Sequence, residues 1–199
     1  MLNQSQIKKL NFLNEKLRDC QKCKNLFNNG KAYPYYTRHS KYLMLAEAPG
    51  GEEVHEDYQT PLVGRSGIKM FTELSRHKLK FKRKDFMILN TVQCRPVIGT
   101  TNGKPSNKEI ETCRFWTSKY IEIFEPEIIL ALGNYANKYF FDDDRLGITR
   151  ESGIIRTLDN GIKVMPCIHP ASLLYSSDNL SIFRSTLKAF RKEVDLLKK

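Results

Sequence analysis

Four compact apolar runs, separated by segments with helical periodicity, constrain the fold of this chain most strongly. The runs are Tyr42–Ala46, Phe86–Asn90, Glu127–Leu132 and Lys163–Ile168. Short continuous runs of this kind are typical of strands that are buried on both faces of a parallel sheet. The helical patterns between them lie around Ile68–Arg76, Lys108–Phe124 and Tyr135–Phe140. The alternation predicts an α/β chain with a parallel sheet, right-handed crossovers and helices on both faces.

Amphipathic helices flank this pattern at both ends. Apolar residues at three- and four-residue spacing predict a first helix that ends near Arg18, and an apolar stripe from Phe183 to Leu197 predicts a closing helix. The turn signal Asp159–Gly161 predicts a small hairpin before the last strand, and Gly99–Pro105 is typical of an exposed loop. Because the 199 residues contain no repeat or long linker, we expect a single domain that covers residues 1–199.

Charge and apolar content limit the partners of the chain and its location. The 33 lysines and arginines exceed the 22 aspartates and glutamates, which leaves a net charge of +11. Such a surplus favours nucleic acid, and then an anionic membrane, as partner, while a basic enzyme without a polyanionic partner is the alternative. No apolar stretch is long enough to span a bilayer, and the first residues lack the pattern of a secretory signal. We therefore expect a cytoplasmic protein.

Polar segments follow three of the predicted strands directly. They are Glu47–Gly67, Asn90–Pro96 and His169–Tyr175. Ligands of open parallel sheets bind at the carboxyl ends of the strands. We therefore expect the chemistry of the protein to lie in these three loops.

Five cysteines indicate either a metal site or burial. Disulfides are rare in intracellular proteins, and an odd number of cysteines cannot all pair within one chain. Cys20 and Cys23 form a C-x-x-C pair, whereas Cys94 and Cys113 stand alone. Such a set is compatible with zinc or with an iron–sulfur cluster, and for Cys20 and Cys23 the alternative is two incidental cysteines in a loop. Cys167 lies within an apolar run, as a small buried hydrophobic residue does.

Eight short motifs occur in the order found in a known enzyme family. They are Cys20-x-x-Cys23, Ala46–Gly50, Pro61–Gly67, Asn90–Pro96, Cys113, Ala131–Gly133, Ile148–Arg150 and His169–Ala171. With these motifs the chain resembles the iron–sulfur uracil-DNA glycosylases, family 4 of their superfamily, over most of its length. The resemblance implies a three-layer α/β/α sandwich with a central four-stranded parallel sheet. It also implies a [4Fe-4S] cluster held by Cys20, Cys23, Cys94 and Cys113.

The activity implied by this resemblance is hydrolysis of the N-glycosidic bond of a uracil flipped out of DNA, in base excision repair. Asn90 would hydrogen-bond the edge of the base, and His169 would donate to the base carbonyl on which negative charge grows. Glu47 would orient water or balance positive charge on the sugar. A turn-capping asparagine and a structural histidine are the alternatives for the first two. We expect DNA as the partner, no membrane association, a monomer and a location at the nucleoid.

The remaining site residues line the base pocket or face the DNA. The substrate-binding set is Ala46, Ala48, Gly50, Tyr58, Leu62, Asn90 and His169. The DNA-binding set is Arg65, Arg95 and Arg150 for phosphates and Leu173 and Leu174 as a wedge in the vacated stack, with core packing as the alternative for the leucines. A basic cluster, Lys78, Lys80, Lys82, Arg83 and Lys84, could contact phosphates or form a solvated helix end.

One wall of the pocket departs from the family pattern. The family usually has an aromatic ring before Val-Gly-Arg, where this chain has Leu62, and losing that stacking face forfeits ~1–3 kcal/mol. The first loop is longer than usual, so Tyr58 could supply a ring, and Ala48 stands where relatives with an aspartate base carry that base. Glu52, Glu53, Glu56 and Asp57 are possible substitutes or simply a solvated acidic loop. Two alternatives follow: excision of a different or modified pyrimidine, for example in viral DNA, or a DNA-binding module with weak catalysis.

Overall fold

The structure is a computed structural model that describes residues 1–55, 57, 59–76, 79–141 and 147–198. The strands within these ranges are β1 (Tyr42–Ala46), β2 (Phe86–Asn90), β3 (Val97–Ile98), β4 (Thr101–Asn102), β5 (Ile128–Leu132), β6 (Arg156–Thr157) and β7 (Lys163–Cys167). The helices are α1 (Gln4–Arg18), α2 (Arg65–Leu74), α3 (Asn107–Phe124), α4 (Asn134–Phe140), α5 (Gly147–Glu151) and α6 (Asp178–Leu196). The four predicted strands and the predicted helices are thus confirmed, with small differences at their ends.

Local sequence signals account for where α1 and α3 begin. Asn3 caps α1 by accepting a hydrogen bond from the Gln6 amide at 2.8 Å. At the start of α3, the Ser106 hydroxyl accepts from the Glu109 amide at 3.3 Å, and the Glu109 carboxylate accepts from the Ser106 amide at 2.7 Å. Both are capping boxes, which satisfy amides that have no partner within the helix.

The central sheet has the strand order β2-β1-β5-β7-β6. The first four of these strands run parallel, and β6 pairs antiparallel with β7. The expected count of four strands was therefore wrong by one. The additional strand is the first arm of the hairpin predicted at Asp159–Gly161, which joins the sheet because it can pair with the free edge of β7.

Helices cover both faces of the sheet and make a three-layer sandwich. Alternate residues of β1 show the division, since Leu43 and Leu45 pack towards α1, α3 and α4 whereas Tyr42 and Met44 pack towards α2 and α6. Side chains of successive strand residues point to opposite faces, so each five-residue strand contributes to both cores. This arrangement explains why β1 and β5 are apolar along their whole length.

The register of the parallel strands places their carboxyl ends side by side. Ala46 lies opposite Asn90, and Leu132 lies opposite Cys167. The segments that follow these residues therefore meet at one edge of the sheet, as predicted for the functional loops. No helix among the described residues has the length and apolar character needed to cross a membrane.

Candidate active site at the carboxyl edge of the sheet

A cavity of about 550 Å³ opens at the edge where the parallel strands end. The predicted site residues that line it are Ala46, Glu47, Ala48, Gly50, Leu62, Arg65, Asn90, Arg95, His169 and Leu174. Leu173 packs instead against the core between the sheet and α6, which is the alternative that sequence analysis left open for it. Arg150 lies on α5 and is not among the described residues that line the cavity, and Tyr58 lies outside the described residues.

Asn90 is the last residue of β2 and lines the cavity with its side chain 1% exposed. Its backbone carbonyl accepts hydrogen bonds from the Gln93 side-chain amide and, at 3.3 Å, from the Thr117 hydroxyl. Within the described part of the chain, neither Oδ1 nor Nδ2 of Asn90 has a hydrogen-bond partner. A buried polar group without a partner costs about 1–3 kcal/mol. The backbone is thus held in place while the side-chain amide stays available to a ligand.

His169 follows β7 and begins the 3₁₀ turn Pro170–Leu174. Its Nδ1 accepts a hydrogen bond from the Ala171 amide at 3.2 Å. Burial lowers the pKa of the imidazole to about 4, so the ring is neutral near pH 7. A neutral imidazole carries one proton, and the acceptor role of Nδ1 assigns that proton to Nε2. His169 therefore presents a neutral N–H donor at the cavity.

Gly133 explains how the end of β5 approaches this histidine so closely. Its φ of +88° is a conformation that glycine adopts without strain. A Cβ at this position would lie 3.2 Å from the Cβ of His169. The motif Ala131–Gly133 thus serves the packing of the imidazole against the start of α4.

Glu47 comes directly after β1 and lines the cavity beside Asn90. Its carbonyl accepts a hydrogen bond from the Val92 amide at 3.1 Å and another from the Thr91 hydroxyl. Burial raises the pKa of its carboxyl group, and the positive charge of Lys104 opposes that shift. The carboxylate is therefore a better proton acceptor than a solvated one.

The wall formed by Leu62 is clamped through its backbone. Leu62 is 3% exposed and has a φ of +57°, which is unusual for a leucine. Its amide donates to the Glu53 carboxylate at 2.7 Å, and that carboxylate also accepts from the Gly50 amide at 3.2 Å. Its carbonyl accepts from Nη1 of Arg83 at 2.9 Å, while Nη2 donates to the Pro61 carbonyl at 2.6 Å.

The structure shows that two predictions about charged residues were wrong: that Glu53 lies in a solvated acidic loop, and that Arg83 contacts phosphates or belongs to a solvated helix end. Glu53 is 7% exposed rather than part of a solvated acidic loop, and burial raises the pKa of its carboxyl group. Arg83 does not extend into solvent towards phosphates, because its guanidinium bonds to backbone carbonyls and stacks 4.4 Å from the Tyr35 ring centre. Both side chains hold the pocket wall in shape.

The β3–β4 hairpin closes another side of the cavity. Asn102 Oδ1 accepts hydrogen bonds from Nε of Arg95 at 2.9 Å and from the Gly51 amide at 3.1 Å. The segment Gly99–Pro105, expected to be an exposed loop, therefore contains the second strand of a hairpin that lines the site. One nitrogen of Arg95 is committed to this contact.

Sequence analysis missed the roles of Glu53, Arg83 and Asn102. Their partners lie between 3 and 51 positions away along the chain, and the longer separations include those from Leu62 to Glu53 and from Gly51 to Asn102. No local pattern encodes such pairings. The one available signal was the density of glycine near Gly50, which permits close backbone approach.

The four cysteines of the predicted metal site occupy one region of the core. Cys94 and Cys113 are buried, and Cys20 and Cys23 are partly buried against the same apolar cluster. The indole N–H of Trp116 lies 3.3 Å from Sγ of Cys20. Burial, with smaller contributions from the neighbouring Cys23 and Cys20, raises the pKa of Cys94 to about 11, while the positive charge of Lys31 opposes this shift.

Other features of the cysteines bear on the same prediction. Among the described residues, no group of three or more His, Cys, Asp or Glu side chains is spaced to hold a single metal ion. Cys167 is fully buried on the opposite face of the sheet, which confirms its prediction as a core residue.

Comparisons with known proteins identify the family of this chain. The model of the uracil DNA glycosylase superfamily matches residues 33–194. A type-4 uracil-DNA glycosylase of Thermotoga maritima is 34% identical over 80% of this chain and 79% of its own length. The type-4 enzymes of Sulfurisphaera tokodaii and Saccharolobus solfataricus are 30% and 33% identical, over 92% and 84% of this chain and 84% and 78% of their own lengths. The chain therefore belongs to the uracil-DNA glycosylase superfamily.

Proposed function

We propose that this protein is a uracil-DNA glycosylase that hydrolyses the N-glycosidic bond of a flipped-out uracil during DNA repair. The observation that carries the proposal is the buried side-chain amide of Asn90, which has no hydrogen-bond partner among the described residues and lines a cavity that His169 also lines. The Watson–Crick edge of uracil presents a carbonyl next to an N–H, and a carboxamide offers one donor and one acceptor to match them. The relatives are named uracil-DNA glycosylases. These names support uracil as the excised base rather than a modified pyrimidine, and an enzyme rather than a DNA-binding module without catalysis.

His169 stabilises the leaving base in the proposed reaction. As the bond between the sugar C1′ and the base N1 breaks, its electron pair moves onto the base and negative charge grows on the base carbonyl. The Nε2–H of the neutral imidazole donates to that carbonyl, and this bond is stronger in the transition state than in the ground state. A neutral donor needs no change of protonation at neutral pH.

Glu47 acts on the sugar side of the same bond. Its carboxylate offsets the positive charge that develops at C1′ and accepts the proton of the water that attacks this carbon. Partial burial strengthens both effects, because a carboxylate in a low-dielectric site interacts more strongly with nearby charge. Ala48, next to it, carries no ionisable group.

Arginines and a leucine at the mouth of the cavity serve the DNA itself. Arg65, exposed at the start of α2, and Arg95 contact phosphates, which adds a salt-dependent component to binding. Leu174 is 37% exposed on the lip of the cavity and fills the gap left by the flipped base. Arg150, on α5 and outside the described lining of the cavity, is proposed to contact a phosphate farther from the flipped base.

A [4Fe-4S] cluster is the cofactor that the four cysteines would hold. The set fits such a cluster because its four thiols pack against one apolar core region, and Cys20 and Cys23 lie near enough to Cys94 to raise the pKa of its thiol. Cys20 and Cys23 follow α1, Cys94 follows β2, and Cys113 belongs to α3. When bound, the cluster would cross-link these three elements and so support the loop that begins at Asn90.

Single-turnover assays on a panel of oligonucleotides test the proposal. The wild-type protein should create abasic sites at uracil and leave hypoxanthine and modified cytosines intact. Asn90→Ala should lower the rate on uracil by about 10–100-fold, since two hydrogen bonds of about 0.5–1.5 kcal/mol each are lost. Asn107→Ala, which removes an exposed amide from the start of α3, is the matched control and should react like the wild type.

Two results of the same panel would contradict the proposal. Abasic product only at a modified pyrimidine would identify a glycosylase for that base. Binding of DNA without abasic product at any base would identify a binding module on the glycosylase fold.

A further inference from the structure

Tyr175 stands out on the lip of the cavity because its large ring is almost fully exposed. It ends the 3₁₀ turn that begins after His169, and with Leu174 it lines the mouth of the cavity. Tyr175 is 88% exposed, compared with 37% for Leu174. An aromatic side chain usually buries most of its surface, so a ring presented to solvent at the edge of a site is a candidate for ligand contact.

The backbone holds this tyrosine at the lip while its side chain stays free. The Tyr175 amide donates to the Ser172 carbonyl at 3.3 Å, and the Ser172 amide donates to the His169 carbonyl at 2.9 Å. The next residue, Ser176, also donates to the Ser172 carbonyl, at 3.1 Å. The position of Tyr175 is therefore tied to that of His169 through a short hydrogen-bonded turn. No hydrogen bond or aromatic contact with another described residue engages the Tyr175 ring.

We propose that Tyr175 stacks on the nucleobase that adjoins the flipped uracil in the damaged strand. The inference rests on the proposed function. In that proposal the flipped base lies beside Asn90 and His169, and Leu174 fills the space that the base has left in the stack. Neighbouring bases of one strand are about 3.4 Å apart along the axis, so we expect the adjoining base near the mouth of the cavity that Tyr175 lines. Removing one base from the stack exposes one face of this neighbour, and an aromatic ring covers such a face with little dependence on sequence.

The contact should matter most in single-stranded DNA. In a duplex, the adjoining base remains paired and keeps its stacking partner on the far side. A single strand lacks this pairing, so stacking on the Tyr175 ring provides a larger share of the interactions that hold the adjoining base in place. The contribution of this ring to binding should therefore be larger on a single strand than on a duplex.

A binding assay that does not require excision tests this contact directly. The probe is a single strand with 2′-fluoro-2′-deoxyuridine, which resists cleavage, and 2-aminopurine on its 5′ side in one oligonucleotide and on its 3′ side in another. Stacking on the tyrosine should quench the 2-aminopurine fluorescence in one of the two. Tyr175→Leu should abolish that quenching and weaken binding by about tenfold, while Tyr175→Phe stays within about twofold of the wild type.

A matched control separates stacking at the lip from a general loss of aromatic surface. Phe12→Ala removes another exposed ring, 58% exposed on α1 and outside the described cavity lining, and should leave quenching and affinity unchanged. Because Tyr175 is so exposed, its replacement leaves no cavity, and an unchanged melting temperature confirms an intact fold.

The outcomes for this contact and for the proposed function can be told apart. Equal affinity and equal quenching for wild type and Tyr175→Leu would overturn the stacking contact, as would a large loss of affinity in Tyr175→Phe. If the wild type excises no uracil but the quenching still depends on Tyr175, the proposed function is wrong and the contact with DNA stands.

Discussion

Replacing His169 by asparagine should remove a distinct component of acid denaturation. The imidazole has a pKa of about 4 in the folded protein, against 6.5 for an ordinary histidine, because burial disfavours its charged form. Between these two values the unfolded chain binds more protons at this position than the folded protein. Folding stability should therefore decrease as the pH falls from about 6.5 to about 4.

The size of this effect follows from the same two pKa values. A difference between 6.5 and about 4 corresponds to about 3 kcal/mol at 1.36 kcal/mol per pH unit. Asparagine cannot titrate, yet its side-chain oxygen can accept the Ala171 amide that His169 Nδ1 accepts at 3.2 Å. The variant should therefore keep the turn and lose only the pH dependence of the imidazole.

Urea unfolding of both proteins from about pH 7 to about pH 4.5 measures this difference. Carboxyl groups such as Glu47 and Glu53 titrate in both proteins, so their contributions largely cancel when one curve is subtracted from the other. The wild type should lose about 2–3 kcal/mol more than the variant over this range. Parallel curves would refute the reasoning, because they would mean that the imidazole is solvated and that burial does not keep it neutral.

Three further substitutions test the pocket wall at Leu62. Gly67→Ala would place a Cβ 2.0 Å from the Leu62 carbonyl oxygen, so we expect a loss of about 2–3 kcal/mol in urea unfolding; unchanged stability would contradict this. Arg83→Lys cannot bond both the Pro61 and Leu62 carbonyls, and it should raise KM for uracil-containing DNA about tenfold without a matching change in kcat. Leu62→Phe should restore a stacking face and lower KM about fivefold, while an unchanged KM would show that the ring does not reach the base.

The strands were predictable because their signal is local. Tyr42–Ala46 and Phe86–Asn90 are strands with the predicted bounds. A short continuous apolar run between polar segments is typical of a strand that is buried on both faces. Helix α2 was less predictable. It starts at Arg65 rather than near Ile68, because Gly67 lets its first turn pack against the backbone of Leu62, and no helical periodicity signals that contact.

The site was only partly predictable for a related reason. The positions of Asn90 and His169 follow from the rule that parallel strands end at a common edge, and both line the cavity as expected. The hydrogen-bond partners of these residues did not follow from that rule. The Asn90 amide, which has no partner in the part of the chain that the structure describes, and the Nδ1 contact of His169 both depend on how neighbouring segments pack.

The sequence by itself determined the α/β architecture and the edge of the sheet that carries the candidate site, whereas the packing of four cysteines against one core region is a result of the fold. Only the tertiary structure decided which charged residues face solvent and which hold the pocket. Glu53 and Arg83 occur in charged segments that look alike in sequence, yet both are engaged with the backbone near Leu62. The physical reason is that the burial and pairing of a charge depend on groups that the fold brings together from distant positions. Apolar periodicity, in contrast, is a local property of consecutive residues.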